Sequence, residues 1–193
     1  MGACDDGGTL TFDYAEHEHV QHLIETVVYC AEGVSASFDR YDEEYVKGPG
    51  LYFAIVSGES VVQYADQMGT NCWPIDVCSS VLADIDRFYE AAREVALSRD
   101  GGIVITVDGT IIEQMVRFKD LTAGDDVHEE TVDREYADWM GSRHMSAYDT
   151  SLRRSVVATV TVSEETGRVT LFQSGEYDTL ERDELGGPWR AEN

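Results

Sequence analysis

Two apolar runs of strand length constrain the fold of this chain more than any other feature of its sequence. Residues 51–57 form a continuous stretch, Leu-Tyr-Phe-Ala-Ile-Val-Ser, and residues 103–107 read Ile-Val-Ile-Thr-Val. A strand with one face in water alternates polar and apolar residues, whereas an uninterrupted apolar strand needs cover on both faces. The first run therefore predicts a strand in a sheet buried between two layers, and the second predicts another strand of the same sheet.

Helical patterns before and between these runs supply the covering layers. Apolar residues recur with helical spacing over residues 16–32, which Gly33 is placed to end, and over residues 76–97, which Gly101 and Gly102 are placed to stop. The other predicted elements are strands at 111–118, 156–162 and 168–173, a helix at 145–154 and a short helix at 180–185.

The order of these elements predicts an α/β fold, a single domain with a central mixed β-sheet flanked by helices. A chain of 193 residues is long enough for one substantial core and short for two. We expect an N-terminal lead and helix at residues 1–46, the main domain at residues 47–180 and a C-terminal tail at residues 181–193. Residues 121–138 form the one long irregular segment.

The chain carries a large excess of acidic residues. Asp and Glu number 38 against 14 Lys and Arg, for a net charge of −24, and they are interleaved along the chain. A disordered acidic protein would lack the apolar runs described above. The charge instead suits multimolar salt, because screening shortens the reach of charge repulsion to about 3 Å at 1 M. We therefore expect a halophilic microbe as the source.

The same charge limits the partners of this protein. Its surface should repel DNA, RNA and anionic membranes, because affinity for nucleic acid depends on Lys and Arg replacing counterions. No apolar stretch approaches the ~20 residues of a membrane span, and no signal peptide is visible at Met1. The cysteines at positions 4, 30, 72 and 78 form no C-x-x-C pair and predict buried free thiols. We expect a cytoplasmic protein with room for one concentrated cationic pocket.

A cationic motif stands at the predicted start of the helix in the C-terminal half. Gly141 and Ser142 precede Arg143 and His144. A helix start offers backbone N–H groups and the positive end of the helix dipole, and serine is a favoured cap there. Together with an arginine fork and a histidine, this arrangement predicts a polyphosphate site. A capped surface helix whose arginine pairs with a nearby acid explains the same spacing equally well.

Two further motifs stand where predicted strands end. Asp108 offers a carboxylate for Mg²⁺ or Mn²⁺ and for polarising a hydroxyl, and Gly109 lets a flat base or sugar approach the backbone. An Asp-Gly pair between strands is also a common hairpin turn, and taken alone the turn is the better explanation. Ser163, with Glu164 or Glu165 beside it, likewise fits either a hairpin turn or contacts of the serine to phosphate and of a glutamate to the metal. Because ligands bind at strand ends in α/β sheets, the three motifs together predict nucleotide chemistry.

In this order the motifs resemble those of the diadenylate cyclase (DAC) domain, whose signatures are an Asp-Gly-Ala motif and an Arg-His-Arg motif preceded by Gly-Thr or Gly-Ser. The resemblance covers residues 47–180 and is closest to the archaeal branch, which suits a haloarchaeal composition. The family condenses two ATP into cyclic di-AMP and two pyrophosphates with a divalent metal, often Mn²⁺. Because the product is two-fold symmetric and one domain holds one ATP, the resemblance implies self-association as at least a dimer.

The resemblance also implies roles for individual residues. Asp108 would be the catalytic residue and would bind Mn²⁺ or Mg²⁺ with Glu164. The residues implied in binding ATP are Gly109, Thr110, Leu121, Ser142, Arg143, His144, Met145, Ser146 and Ser163. Thr110 stands where the family has Ala, and Met145 replaces the second Arg and removes a cation. These departures motivate an alternative, a catalytically silent module that binds ATP or a cyclic dinucleotide.

The tryptophans and the histidine-rich segment carry weaker signals. Trp73, Trp139 and Trp189 are predicted as core or interface residues, with Trp139 placed to shape a pocket beside Gly141. The histidines within residues 17–22 have no matching cluster of ligands elsewhere in the chain. They predict a solvated helix start rather than a metal site.

The acidic surplus predicts a salt-dependent fold. The melting temperature should rise as KCl is increased from about 0.1 M to about 3 M, because repulsion among unscreened carboxylates destabilises the compact state. Circular dichroism melts at fixed pH measure this directly. A melting temperature that does not change with KCl would contradict the salt-adapted interpretation.

Overall fold

A five-stranded mixed sheet forms the centre of the fold. The computed structural model describes residues 13–58, 60–128 and 136–186. The strands of the sheet, in chain order, are β1 (Leu51–Val56), β3 (Ile103–Thr106), β5 (Val156–Val162), β6 (Val169–Gln173) and β7 (Glu176–Leu180). In space the order is β3-β1-β5-β6-β7, with β3 parallel to β1 and the other neighbouring pairs antiparallel.

Two layers cover this sheet. Helices α1 (Glu18–Ala36) and α2 (Ile85–Ser98) pack on one face. The other face is covered by α3 (Ser142–Ser151) and by a two-stranded antiparallel sheet formed by β2 (Ala65–Cys72) and β4 (Gln114–Phe118). The predicted α/β class, with a central mixed sheet flanked by helices, is therefore confirmed.

The central strand β1 shows why its sequence is apolar throughout. Leu51, Phe53 and Ile55 enter the core beneath α1 and α2, whereas the residues between them enter the core beneath α3. All six residues of β1 are buried. An uninterrupted apolar run is what a strand with both faces in a core requires, and this prediction is confirmed.

Aromatic side chains fill the core beneath the first pair of helices. Phe53, Trp73 and Phe88 are each at most 1% exposed, and their rings contact one another with centroid distances of 5.6–6.3 Å. The Trp73 indole N–H donates to the Cys78 carbonyl at 2.7 Å, so its polar atom is paired within the core. Trp73 is thus a core residue, as predicted, while Trp189 lies outside the described residues.

The predicted long helix at 76–97 is wrong in its first half. Helix α2 begins only at Ile85, where the Asp84 carboxylate caps it by accepting from the Arg87 N–H at 3.1 Å. The preceding residues make tertiary contacts instead of helical ones; the Val81 N–H, for example, donates to the Gly109 carbonyl at 2.9 Å. Their helical spacing of apolar residues reflects packing of a turn-rich segment against the core.

Both other long helices differ from prediction at their ends. Helix α1 continues through Gly33 to Ala36, because Gly33 serves helix packing: a Cβ there would stand 3.1 Å from the Tyr89 ring. Helix α3 runs over Ser142–Ser151 rather than 145–154, and Gly141 is its N-cap without a side-chain cap hydrogen bond. Ser142 is therefore the first helical residue, and its predicted role as a serine cap is wrong.

The strands were predicted unevenly. Those at 51–57, 103–107, 156–162 and 168–173 are confirmed to within a residue at each end. Strands β2 and β7 are not predicted by the sequence pattern, and in place of the short helix expected at 180–185 the chain ends β7 at Leu180 and continues in turns over residues 182–186. The strand predicted at 111–118 begins at Gln114 and pairs with β2, while isolated bridges of Ile111 to Ile105 and of Val116 to Gly102 connect the same segment to β3 and the residue before it.

Two apolar residues of α2 should differ greatly in how much their replacement by alanine lowers the free energy of unfolding. Phe88→Ala should lower the free energy of unfolding by about 3–5 kcal/mol, since Phe88 is fully buried and its removal leaves a cavity. Leu97→Ala on the same helix is the matched control, because Leu97 is 58% exposed and should change stability by at most about 0.5 kcal/mol. Urea unfolding at constant high salt measures both. Equal effects would contradict the placement of α2.

Candidate functional site

Two adjacent cavities open at one end of the central sheet, where β1 and β3 begin and β5 ends. The small cavity, about 170 Å³, is lined by Trp139, Gly141, Ser142, Arg143, His144, Ser163, Glu164, Glu165, Thr166 and Arg168. The large cavity, about 450 Å³, is lined by Tyr52, Met68, Asp100, Gly101, Gly102, Val116, Arg117, Phe118, Asp120, Ser142, Arg143, Ser146 and Glu164. Because three lining residues are shared, the two cavities form one continuous site.

Arg143 stands at the junction of the two cavities. Its Nη2 lies 3.7 Å from Asp100 Oδ1 and 3.7 Å from Glu164 Oε2, so two carboxylates share one guanidinium. The side chain passes over Gly50 at the start of β1, where a Cβ would stand 2.7 Å from Arg143 Nη1. Glycine at position 50 thus makes room for the arginine.

Glu164 is held in place from both its backbone and its side chain. Its carbonyl accepts from the Gly48 N–H at 2.7 Å, and its Oε1 lies 3.0 Å from Lys47 Nζ. Partial burial raises the pKa of Glu164, but Lys47 and Arg143 outweigh this effect and hold the pKa below its ordinary value. The side chain is therefore a carboxylate at neutral pH.

His144 is the most buried polar group of the site. It is 6% exposed, and within the described residues its Nε2 has no hydrogen-bond partner. The Trp139 ring packs against it edge to face, with centroids 5.1 Å apart. Burial first, and then the guanidinium groups of Arg168 and Arg143, lower the pKa of His144 to about 4. At neutral pH the imidazole is uncharged and offers an unpaired nitrogen beside two cations.

Ser163 begins the turn that joins β5 to β6. Its Oγ accepts from the N–H groups of Glu165 and Thr166 at 3.3 and 3.2 Å, so the hairpin-turn explanation holds for its local structure. Because that oxygen only accepts in these bonds, its own proton is left for another acceptor. The same turn places Ser163 on the wall of the small cavity.

The large cavity has an apolar wall and an acidic entrance. Tyr52 and Phe118 pack against each other at 5.2 Å between centroids and line it on the side of α3 and β4. Gly101 has φ +124° and Gly102 lies under Phe118, where a Cβ would approach its ring to 2.6 Å. Asp100 follows the end of α2 and is 76% exposed, so its carboxylate is open to a ligand.

The structure separates Asp108, Gly109 and Thr110 from this site. They follow the far end of β3, and since a strand rises about 3.3 Å per residue, β3 with its flanking residues spans roughly 15 Å. Helix α1 gives a second measure: Leu23 packs on Gly109, whereas Ser35 donates to the Gly167 carbonyl in the turn after Ser163. At about 1.5 Å per residue these helix positions are roughly 18 Å apart.

At its own end of the sheet, Asp108 makes a turn. Its Oδ1 accepts from the Thr106 hydroxyl at 2.5 Å and from the Thr110 N–H at 2.9 Å, and these bonds lower the pKa of Asp108. The hairpin explanation therefore accounts for Asp108 and Gly109. Neither they nor Thr110 line the two cavities beside Arg143.

The other predicted residues divide between the site and the core. Ser142, Arg143, His144, Ser163 and Glu164 come together as predicted, and Ser146 lines the large cavity. Leu121 and Met145 are partly buried against the core beneath α3, and neither lines the small or the large cavity.

Sequence reasoning missed Asp100, which faces Arg143 where Asp108 was expected. Asp100-Gly101 is another Asp-Gly pair of the chain, followed by the small residue Gly102 and then by β3. The helical pattern before it predicts only that Gly101 and Gly102 end a helix. The third residue of the motif is the signal that could have identified Asp100. Gly102, which follows Asp100-Gly101, is closer in size to the Ala of Asp-Gly-Ala than Thr110, which follows Asp108-Gly109.

The acidic groups of the site fit a divalent cation. Asp100 and Glu164 converge on the same nitrogen of Arg143, and carboxylate oxygens are the ligands that Mg²⁺ and Mn²⁺ prefer. A cation of this type needs only one or two carboxylates when substrate phosphates and water complete its shell. Among the described residues there is no group of three or more His, Cys, Asp or Glu that could hold a metal by itself, and this includes the histidines of residues 17–22.

Comparison with known proteins points to a nucleotide-binding family. Residues 86–177 match the family model described as "DAC: DisA bacterial checkpoint controller nucleotide-binding". The matched segment runs from α2 to β7 and includes Asp100, Arg143, His144 and Glu164. It supports the DAC-domain resemblance of the motifs. No curated protein matches the sequence significantly.

A solved structure shares the fold at low sequence identity. A protein from Bacillus cereus described as a hypothetical membrane spanning protein superposes with a TM-score of 0.52 at 17% identity, over 82% of this chain and 63% of that one. This chain thus spans less than two thirds of its length, and the likeness concerns the fold alone. A double mutant of DacA from Staphylococcus aureus has a TM-score of 0.45 at 15% identity, over 91% of this chain and 97% of that one. No helix of the described residues is long and apolar enough to cross a membrane.

Burial of His144 predicts a pH-dependent stability. Between the ordinary pKa of 6.5 and about 4 the unfolded chain binds a proton that the folded protein excludes, so the free energy of unfolding should fall as pH falls from 6.5. His144→Gln should flatten this slope between about pH 7 and about pH 5, above the titration of most carboxylates. Urea unfolding at constant salt measures it.

The control for this measurement is His19→Gln, which changes an exposed histidine of α1. It should keep the slope of the parent protein. An unchanged slope in His144→Gln, or an equal change in both variants, would show that His144 is not the group responsible.

Proposed function

We propose that this protein is a diadenylate cyclase, a nucleotidyltransferase that condenses two ATP into cyclic di-AMP and two pyrophosphates. The observation that carries the proposal is the convergence of Asp100, Arg143 and Glu164 between the two cavities, with His144 beside them. A carboxylate pair for a metal, a guanidinium for phosphate and a cavity for the nucleoside are the parts that chemistry at the α-phosphorus needs. The match to the DAC family model supports the same reaction.

In this proposal the large cavity takes the adenosine and the small cavity the triphosphate. The aromatic wall of Tyr52 and Phe118 offers a surface for the base, and Gly101 and Gly102 let the sugar approach the backbone. Arg143 lines both cavities and bridges the two parts of the nucleotide. The N-terminus of α3 directs its first N–H groups and its dipole toward the phosphates.

Asp100 takes the catalytic role that the motifs had suggested for Asp108. Its exposed carboxylate accepts the proton of the ribose 3′-hydroxyl as the 3′-oxygen attacks the α-phosphorus of the other ATP, and the bond to the bridging oxygen of pyrophosphate breaks. Arg143 and the Ser163 hydroxyl hold charge on the phosphate oxygens. A divalent metal, Mn²⁺ or Mg²⁺, would be bound by Asp100 and Glu164 and would lower the pKa of the hydroxyl and neutralise phosphate charge.

The reaction requires two copies of this site. Each ATP supplies one nucleophile and one electrophile, and the product is two-fold symmetric. Two domains that face each other across a two-fold axis satisfy this requirement, so we infer a dimer as the smallest active unit. A monomer of this kind would bind ATP without forming product.

A binding module without turnover is the second candidate. It is favoured by Met145, which stands where the family has a second arginine and whose side chain packs toward the core beneath α3 instead of lining either cavity. That motif position therefore adds no cation to the site. Such a module would bind ATP or a cyclic dinucleotide and release no pyrophosphate.

Two aspartates that each precede a glycine allow a matched test of the proposed function. Asp100→Asn should reduce formation of cyclic di-AMP by at least about a hundredfold while ATP still binds, because the variant loses the base and a metal ligand. Asp108→Asn should leave the rate within about threefold, because Asp108 lies at the other end of β3. Product is measured by mass spectrometry after incubation with ATP and Mn²⁺ at high salt.

The outcomes separate the candidates. Pyrophosphate release and a cyclic dinucleotide from the parent protein support the enzyme, and ATP binding without product under all metals and salts supports the silent module. Loss of activity in Asp108→Asn with activity retained in Asp100→Asn would overturn the assignment of the catalytic carboxylate.

A further inference from the structure

Arg168 is a cation of the small cavity to which the motifs assign no role. It stands directly before β6, and its guanidinium lies 4.2 Å from the centroid of the Trp139 ring. Glu181 forms an ion pair with its Nη2, and the side chain is 16% exposed. The stacked ring and the ion pair fix the orientation of a long side chain that would otherwise be mobile.

The backbone of Arg168 is fixed as firmly as its side chain. Its N–H donates to Thr166 Oγ1 at 3.3 Å, and its carbonyl accepts from the Ser163 N–H at 2.9 Å. Gly167, with φ +73°, sits against Ser35 and Tyr41, where a Cβ would come within 2.8 Å of their side-chain atoms. The turn therefore holds Arg168 at a set distance from Ser163.

The small cavity brings two guanidinium groups and one unpaired imidazole nitrogen to the same space, together with the carboxylates of Glu164 and Glu165. Arg143 and Arg168 both line it, and the Nε2 of the buried His144 is unpartnered within the described residues. The Trp139 ring contacts both the His144 ring, with centroids 5.1 Å apart, and the Arg168 guanidinium, so Arg168 lies near the imidazole. Two cations around a desolvated imidazole repel protons and attract an anion.

Glu181 neutralises only part of the donor capacity of Arg168. A guanidinium carries five N–H donors in a planar fork, and a carboxylate engages at most two of them. The face of the group is covered by Trp139, so the remaining donors lie in the plane of the fork, where a phosphoryl oxygen is recognised. Arg168 is therefore paired with Glu181 along one edge of its guanidinium and lines the small cavity, an arrangement suited to binding a ligand.

We propose that Arg168, oriented by Trp139 and Glu181, is a further phosphate-binding residue that contacts the terminal phosphoryl groups of ATP and the pyrophosphate that leaves. The proposal rests on the proposed function for the identity of the nucleotide. It assigns Arg168 to the end of the triphosphate, because Arg168 lines the small cavity but not the large one that would take the adenosine. Arg168 therefore distinguishes a triphosphate from a monophosphate.

Equilibrium binding of two unreactive probes tests this assignment. Inorganic pyrophosphate occupies only the phosphate part of the site, and AMP occupies the nucleoside part with one phosphate. Arg168→Gln should weaken pyrophosphate binding about tenfold or more and change AMP binding by at most about twofold, as expected for loss of a charge-assisted hydrogen bond. Titration calorimetry at fixed KCl and Mg²⁺ measures both affinities, and Arg168→Lys should restore part of the loss.

Arg182→Gln is the matched control. Arg182 also lies over an aromatic ring, 5.1 Å from the centroid of Tyr41, and donates to the Phe38 carbonyl at 2.9 Å. It lines neither cavity of the site. The substitution removes the same charge and the same kind of contact, so it should leave both affinities unchanged.

Each outcome decides the proposal. Unchanged pyrophosphate affinity in Arg168→Gln overturns it, and so does an equal loss for AMP and pyrophosphate accompanied by a lower melting temperature, which marks a structural role. Failure of the parent protein to bind pyrophosphate overturns it as well. If the parent and the variants bind both probes in the expected way but no cyclic product forms, the proposed function is wrong and the phosphate-binding role of Arg168 is supported. If cyclic product forms and Arg168→Gln leaves the KM for ATP unchanged, the proposed function is supported and the phosphate-binding role of Arg168 is wrong.

Discussion

Burial of β1 on both faces is the constraint on which the rest of the structure depends. Alternate residues of β1 are buried in two different cores. Helices α1 and α2 must therefore cover one face of this strand, and α3 with the sheet of β2 and β4 must cover the other. With β3 and β5 as its neighbours, the start of β1 meets the start of β3 and the end of β5. Gly50, Asp100 and Glu164 are brought together for that reason, although they are distant in sequence.

Charge organises the site within a protein that is acidic nearly everywhere. Against a net charge of −24, Lys47, Arg143 and Arg168 gather at one end of the sheet. In the described structure they are partly neutralised by Glu164, Asp100 and Glu181, which compete with an anionic ligand for the same donors. An anionic ligand should therefore bind most tightly when a metal ion binds these carboxylates and releases the cationic donors to the ligand. This coupling of phosphate and metal is consistent with nucleotidyl transfer.

The Asp-Gly pairs at Asp100 and Asp108 show how similar local signals acquire different roles. Asp100 and Asp108 both precede a glycine, and both flank the apolar strand β3. The pair before the strand opens onto Arg143 and leaves its carboxylate exposed, whereas the pair after it folds into a turn stabilised by Thr106 and Thr110. Only the direction of β3 in the sheet determines which pair meets the cationic motif.

The buried central strands, the α/β class and the cationic start of α3 can all be predicted from the sequence, because hydrophobic periodicity and short motifs are local properties. The sequence did not determine where α2 begins, where β2 and β7 lie, or that Asp100 and Arg168 belong to the site. Those features depend on contacts between distant segments, such as the Val81 N–H with the Gly109 carbonyl and Arg168 with Trp139. Local propensity is weak beside such contacts, so the tertiary structure alone decided which end of the sheet holds the site.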